Sequence, residues 1–322
     1  MEAIVVAGGL GTRLRPLTDD RPKHLLPVGG VPFLAHQIGK LAQSGVDRVV
    51  LATSYHADAF EPTFGDGSAY GVALVYVTET ELLGTAGALR NVTGALTAGP
   101  DDPVLVLNGD ILSGHDIAAQ VKRHEQADAD VTLHLVDVAD ARAYGCVPTD
   151  PDGRVLAFME KSPDPATHQV NAGCYVFRRH LLDEIPAGRP VSVERETFPA
   201  LLRRGARLIG HRDPAYWLDV GTPSALVQAS CDLVRGIATS PAYPFAPAEQ
   251  WLDDTAQVHE TAQVTGGSAV GPGATVAEGA VVQGSVLMAG AVVGAGAVVA
   301  GSVVADGGQV GEHARLEHAV VI

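Results

Sequence analysis

A chain of 322 residues is long for one ordinary core and suits a large domain with a smaller companion. Apolar residues make up 46% and charged ones 18%, which supplies ample buried core and excludes a disordered chain. The formal net charge of -15 argues against nucleic acid or an anionic membrane surface as a partner, so any anionic ligand must be met by a local cluster of cations.

The first apolar run, AIVVA at 3–7, stops at Gly8 with no basic stretch before it, which predicts neither signal peptide nor membrane span and hence a cytoplasmic protein. Further β-type runs follow at 48–53, 73–77, 103–108 and 131–136, alternating with helical periodicity; this order predicts an α/β fold. Leu34, Ile38, Leu41 and Ala42 share one helical face and Gly45 stops it, giving the order strand, loop, helix, strand. The opening loop then sits at the C-terminal end of a strand, where open parallel sheets place their ligands. Cys146, Cys174 and Cys231 are odd in number and form no CxxC, as expected of reduced, mostly buried thiols.

Three prolines in SPAYPFAP at 240–247 mark a boundary. We divide the chain into 1–236, a Pro-rich linker at 237–250, and 251–322. In the last part Val258, Val264, Val270, Val276, Val282 and Met288 recur every six residues; after a five-residue step the series continues at Val293, Val299 and Ala305, then at Val310, Leu316 and Ile322. A period of six with glycine and small residues between predicts a parallel β-helix of hexapeptide turns, each needing a neighbour to complete its core.

The opening loop, GGLGTRLRPLTDDRPK at 8–23, carries Gly8, Gly9 and Gly11, then Thr12, Arg13 and Lys23. It lacks the GK[ST] ending of a P-loop and the third glycine of a dinucleotide fingerprint. The physics is similar nonetheless: glycines let backbone N–H groups approach an anion, and adjacent cations neutralise phosphate oxygens. Arg13 offers a planar fork and Lys23 a compact mobile charge, suited to two positions along a polyphosphate. Lys23 is one of only four lysines in the chain. VLVLNGD ends a buried run with Gly109 and Asp110, and YWLDVGTP places Asp219 after another. Two carboxylates converging from distant positions can hold Mg2+, with water and phosphate oxygens completing its shell; either one alone reads as a turn aspartate. FMEKS sets Glu160 beside Lys161 on an extended run.

The blocks GGLGTRLRPLTDDRPKHLLPV, ELLGTAGAL, VLNGDI, YGCV, FMEKS, VNAGCYVF, ERETFP and YWLDVGTP, in this order, resemble the sugar-1-phosphate nucleotidyltransferases, and among them mannose-1-phosphate guanylyltransferases. The resemblance implies a Rossmann-like, mixed but mostly parallel sheet flanked by helices, followed by a small left-handed parallel β-helix. It implies attack of a sugar 1-phosphate on the α-phosphorus of a nucleoside triphosphate, releasing pyrophosphate, with Mg2+ on Asp110 and Asp219. It carries Arg13 and Lys23 over to the triphosphate, Lys161 to the sugar phosphate, Glu160 to sugar hydroxyls, and Gly145, Asn171 and Gly173 to the sugar site. The nucleotide side takes Gly8, Gly9, Gly11, Thr12, Gly84 and Gly109, and a base-reading segment before LGTAGAL in which Glu81 suggests guanine, since a carboxylate accepts from N1–H and N2–H2. A solvated Glu81 is the competing reading. His24 stands where the guanylyl pattern usually has proline, which leaves dTTP, UTP or ATP with glucose 1-phosphate or a cyclitol phosphate as the alternative to GTP with mannose 1-phosphate. A non-catalytic regulatory subunit is disfavoured because every charged position is present. An acyltransferase β-helix with His259, His313 or His318 as base has no acyl-donor motif behind it. The β-helix is expected to serve as scaffold or as the contact of a homo-oligomer.

Overall fold

The computed structural model describes residues 1–159, 161 and 163–322. Strands β1 (Glu2–Ala7), β2 (Pro27–Val28), β3 (Val31–Pro32), β4 (Arg48–Thr53), β5 (Ala73–Thr78), β6 (Pro103–Asn108), β7 (Ile111–Ser113), β8 (Val131–Asp137), β9 (Gln169–Arg178), β10 (Leu208–Arg212) and β11 (Trp217–Asp219) precede thirteen more, of two or three residues each, between Gln250 and Val321. The helices are α1 (Phe33–Gln43), α2 (Phe60–Phe64), α3 (Gly84–Val92), α4 (Ile117–Gln126), α5 (Arg179–Asp183), α6 (Phe198–Arg203) and α7 (Pro223–Val234). The chain forms two compact units, each discontinuous in sequence.

The first unit comprises 1–9, 41–111 and 115–217. Its seven-stranded sheet runs β10-β8-β9-β6-β1-β4-β5. All neighbours are parallel except β9, which runs antiparallel to both β6 and β8, so the sheet is mixed and mostly parallel as expected. Ile4, Val50, Val104, Val106, Val131 and Leu133 are fully or almost fully buried in one cluster with Leu89 and Val92 of α3 and Phe198 of α6. Strands covered by helices read as unbroken apolar runs, which is why the five N-terminal ones stand out in the sequence. The simple order strand, loop, helix, strand omits one feature: the hairpin β2/β3, whose two-residue strands are too short to leave a periodic signal, lies before α1.

The second unit comprises 10–40, 112–114 and 218–322. Its C-terminal part is a parallel β-helix of three stacked sheets, with five, four and four strands. Val258 pairs with Val276, then Val293, then Val310, and Val264 with Val282, Val299 and Leu316. The third column corrects the sequence phase, because it runs Leu252, Val270, Leu287, Val304, Val321 rather than through Met288, Ala305 and Ile322. The five-residue step falls between Val282 and Leu287, where a buried serine turns the corner. Ser268 Oγ accepts from Ser285 N–H at 3.1 Å, Ser285 Oγ from Ser302 N–H at 3.0 Å, and Ser302 Oγ from Ala319 N–H at 3.0 Å. This serine ladder satisfies backbone donors inside the wall, which a buried corner cannot leave unpaired. Each inward valine contributes roughly 1.5 kcal/mol or more of burial. His313 and His318 both adopt positive φ and lie over Gly296 and Gly301 of the preceding coil, a turn role that accounts for them without chemistry.

Residues 10–40 pack within this same unit. The Gly30 Cα lies against the Trp251 ring with no room for a Cβ, and Gly29 N–H donates to Ser230 Oγ on α7 at 2.9 Å. His36 donates from Nε2 to the Val28 carbonyl at 3.0 Å, and its Nδ1 accepts from the Ser240 hydroxyl at 2.7 Å. Burial pushes His36 down to about 4. The three cysteines are free and buried, and burial raises the Cys231 thiol to about 11.

Candidate functional site

The predicted residues divide between the two units, and each half has its own geometry. In the first, β1 and β6 are parallel neighbours with Val6 opposite Asn108, and Gly109 N–H donates to the Val6 carbonyl at 2.9 Å. Gly8, Gly9 and Asp110 therefore leave the sheet at the same C-terminal edge, the position open parallel sheets reserve for ligands. Ser54, just beyond β4, donates from Oγ to the Gly8 carbonyl. A Cβ on Gly8 would lie 2.9 Å from Glu79 Oε1 and 3.1 Å from Ser54 Oγ, so any side chain here would have to push the Glu79 carboxylate aside.

Glu79 is the residue that sequence reasoning missed. It follows β5 directly, is half-buried, and accepts from Leu83 N–H through Oε2 at 3.2 Å. Burial pushes its carboxyl above the ordinary value, and the Leu83 hydrogen bond opposes that shift. Glu81, the carboxylate nominated from sequence, is exposed. In ETE only the strand end tells the two apart. Gly84 opens α3 at φ +68, and a Cβ there would come within 2.8 Å of the Val191 carbonyl, so its identity already follows from packing.

Of the residues that the resemblance assigns to the sugar, Asn171 donates from Nδ2 to Tyr175 Oη at 2.7 Å and accepts from Gly173 N–H at 3.2 Å. Gly173, at φ +77, lets β9 close on Asn108, whose Nδ2 would lie 2.9 Å from an added Cβ. Gly145 precedes the Cys146–Met159 bridge, in which each N–H donates to the other carbonyl at 2.9 Å. Lys161 is exposed just after that bridge. Glu160 lies outside the described residues. Trp217 donates from Nε1 to the Ala172 carbonyl at 3.0 Å and meets Tyr144 edge-on, closing a small apolar cluster with Cys146 and Val170. Neither aromatic was singled out from sequence, although both stand inside motif blocks.

In the second unit, Gly11 at φ +61 leads into a 3-10 turn holding Thr12 and Arg13. Thr18 Oγ1 donates to the Gly11 carbonyl at 3.0 Å, and a Cβ on Gly11 would lie 3.3 Å from Lys23 Cβ. The loop thus folds back so that its lysine stem lies on its own glycine. Arg13 Nη2 is 3.7 Å from Asp219 Oδ1, an ion pair longer than a hydrogen bond, with Arg13 largely exposed. Gly221 leaves space for that approach, since a Cβ there would sit 2.7 Å from Asp219 Oδ1. Thr222 then caps α7, accepting from Ala225 N–H at 3.2 Å, with Pro223 in the first turn. His24 is fully buried.

Among the described residues no group of three or more His, Cys, Asp or Glu side chains is placed to hold a metal ion. Asp110 in the first unit and Asp219 in the second each offer hard carboxylate oxygens, the donor type that Mg2+ takes together with water and phosphate oxygens. No helix among the described residues is long and apolar enough to cross a membrane.

A nucleotidyl transferase family model matches residues 2–236. The chain belongs to that family. A GMPPB C-terminal domain model matches residues 248–322. Among curated relatives of this nucleotidyl transferase, the mannose-1-phosphate guanylyltransferase of Mycobacterium tuberculosis is 53% identical over 259 residues, covering 80% of this chain and 71% of that protein. The mannose-1-phosphate guanylyltransferase catalytic subunit beta of Drosophila melanogaster is 34% identical over 230 residues, covering 71% of this chain and 62% of that protein. Of solved structures, HddC from Yersinia pseudotuberculosis complexed with GMP-PN superposes with a TM-score of 0.61 at 28% identity, covering 71% of this chain and 97% of that one.

Proposed function

We propose that this nucleotidyl transferase joins GTP to mannose 1-phosphate, giving GDP-mannose and pyrophosphate. The observation that carries the choice of substrates is the 53% identity to the mycobacterial relative over 80% of the chain. The sheet edge supports the reaction class, because Gly8, Gly9 and Asp110 leave adjacent strand ends.

In this reading a sugar phosphate oxygen forms a bond to the α-phosphorus as the bond to the β-phosphate oxygen breaks, and the electron pair leaves with pyrophosphate. No side chain becomes covalently modified. Such transfer rests on in-line positioning and neutralisation of charge. Gly8, Gly9 and Gly11 let backbone amides reach the phosphates. Arg13 neutralises the leaving pyrophosphate and Lys23 braces the triphosphate. Lys161 orients the attacking phosphate, and Asn171 contacts the sugar from β9. Asp110 and Asp219 would hold Mg2+, which when bound supplies charge neutralisation at the α-phosphate. Glu79 accepts from guanine N1–H and N2–H2, a donor pair that adenine lacks. Its burial beside Gly8 favours it over the exposed Glu81 for this part.

The test is a matrix of five nucleoside triphosphates against a panel of sugar 1-phosphates, scored by pyrophosphate release. GTP with mannose 1-phosphate should exceed every other pair by tenfold or more, a margin of roughly 1.4 kcal/mol. A preference for UTP or dTTP would defeat the guanylyl assignment and leave the reaction class standing.

A further inference from the structure

The segment that carries Arg13 and Lys23 is tied to the β-helix by a charged contact that the proposed reaction does not use. Arg21, two residues before Lys23, forms an ion pair from Nη2 to Asp306 Oδ2 at a corner of the β-helix. Its Nε is also 3.2 Å from Asp20 Oδ1 on its own segment. Asp306 is fixed from the other side, since Oδ1 accepts from Ala289 N–H of the preceding coil at 3.0 Å. Both side chains of the pair are about one-third exposed. Pro22 follows at once with an extended ψ of 141°, and the 3-10 turn Lys23–Leu25 begins immediately after it, closed by Leu25 N–H to the Pro22 carbonyl at 3.0 Å and Leu26 N–H to the Lys23 carbonyl at 3.2 Å. Between the fastened guanidinium and the lysine stem stands one proline with a fixed φ, so the chain has little freedom to take up a shift at Arg21. Lys23 is seated on Gly11, which sets the turn holding Arg13.

We propose that Asp306 is a positioning residue for nucleotide binding, which holds Arg21 and through Pro22 sets the placement of Lys23 on the triphosphate. This rests on the reading of Lys23 as a triphosphate ligand. It gives the β-helix a part in catalysis that needs no second subunit and no chemistry of its own. The effect should fall on the nucleotide and leave the sugar phosphate untouched.

Asp306→Asn keeps an oxygen for Ala289 N–H and removes the charge; Arg21→Ala removes the other partner, and Arg21→Lys retains charge without the fork. Steady-state kinetics on the full chain, with melting temperatures to show that each variant folds, should give a loss of about tenfold in kcat/KM for GTP in Asp306→Asn and in Arg21→Ala. The double variant should lose no more than either single one, Arg21→Lys should recover part of the loss, and KM for mannose 1-phosphate should stay within twofold. Hydrogen exchange at the Leu25 and Leu26 amides should speed up in Asp306→Asn. Unchanged kinetics and exchange in Asp306→Asn, or losses that add in the double variant, would overturn the proposal. If the wild-type chain made no nucleotide sugar from any triphosphate, the reading of the reaction would fail, and the exchange measurement alone would decide whether Asp306 orders the turn.

Discussion

The seven-stranded sheet and the β-helix bury similar aliphatic side chains by opposite means. In the sheet, neighbours in space are far apart in sequence, as where Glu2 of β1 faces Val104 of β6. In the β-helix the partner lies one coil away, Val258 facing Val276 and Val276 facing Val293. Each strand of the sheet is used once, so its ends can differ and carry different chemistry: glycines after β1, a carboxylate after its neighbour β6, and a half-buried glutamate after β5, two strands from β1 on its other side. A coil of the β-helix repeats its neighbour, so stability is spread over equivalent contacts and only an occasional corner, such as Asp306, departs from the pattern. Catalytic substitutions should therefore concentrate at strand ends and spare stability, whereas substitutions in the coils should do the reverse.

The largest expected effect breaks that contrast most cleanly if it fails. Asp110→Asn should lower the rate of pyrophosphate release by a factor of about a hundred to a thousand with saturating substrates, while the melting temperature stays near that of the parent chain. A loss of folding with no separate loss of rate would place Asp110 in the scaffold.

Next comes a pH effect in the second unit. His36 is held near 4 by burial, below its ordinary 6.5, so folded protein stays neutral there while the unfolded chain takes up a proton. Stability is therefore full above about 6.5 and falls as the pH drops toward 4, by roughly 3 kcal/mol in all from this group. Denaturant unfolding at a series of pH values, repeated with His36→Gln, should show that slope weakened in the variant.

Smaller again is a change inside the coils. Val282 is fully buried, and Val282→Ala should cost roughly 2 kcal/mol of stability, read by denaturant unfolding, with kcat at ambient temperature unchanged. Smallest in absolute terms is Glu79→Gln, which should reduce the preference for GTP over ATP about tenfold by replacing an acceptor-only group with an amide. The same substitution at the exposed Glu81 should leave the ratio where it was.

Much of this architecture was legible because the governing signals are periodic or terminal. The runs at 3–7 and 103–108 announced buried strands, and the rule that ligands meet open sheets at strand ends brought Gly8 and Asp110 to one edge before any register was known. What was hidden depends on a third dimension. Leu287 and Met288 are both apolar, so only the serine corner at Ser285 reveals which of them faces the coil axis. Glu79 and Glu81 are chemically the same, and burial against Gly8 separates them. The hold of Asp306 on Arg21 joins opposite ends of the chain through two ordinary surface-type residues, and no spacing rule reaches that far.

The attack of a sugar phosphate oxygen on the α-phosphorus is best tested by isotope position. Mannose 1-phosphate labelled with oxygen-18 in its non-bridging oxygens is incubated with GTP and the full chain, and the products are resolved by phosphorus NMR. The account expects one labelled oxygen to bridge the two phosphorus atoms of GDP-mannose and none to enter pyrophosphate. Label in the released pyrophosphate, or a bridging oxygen that came from GTP, would contradict it.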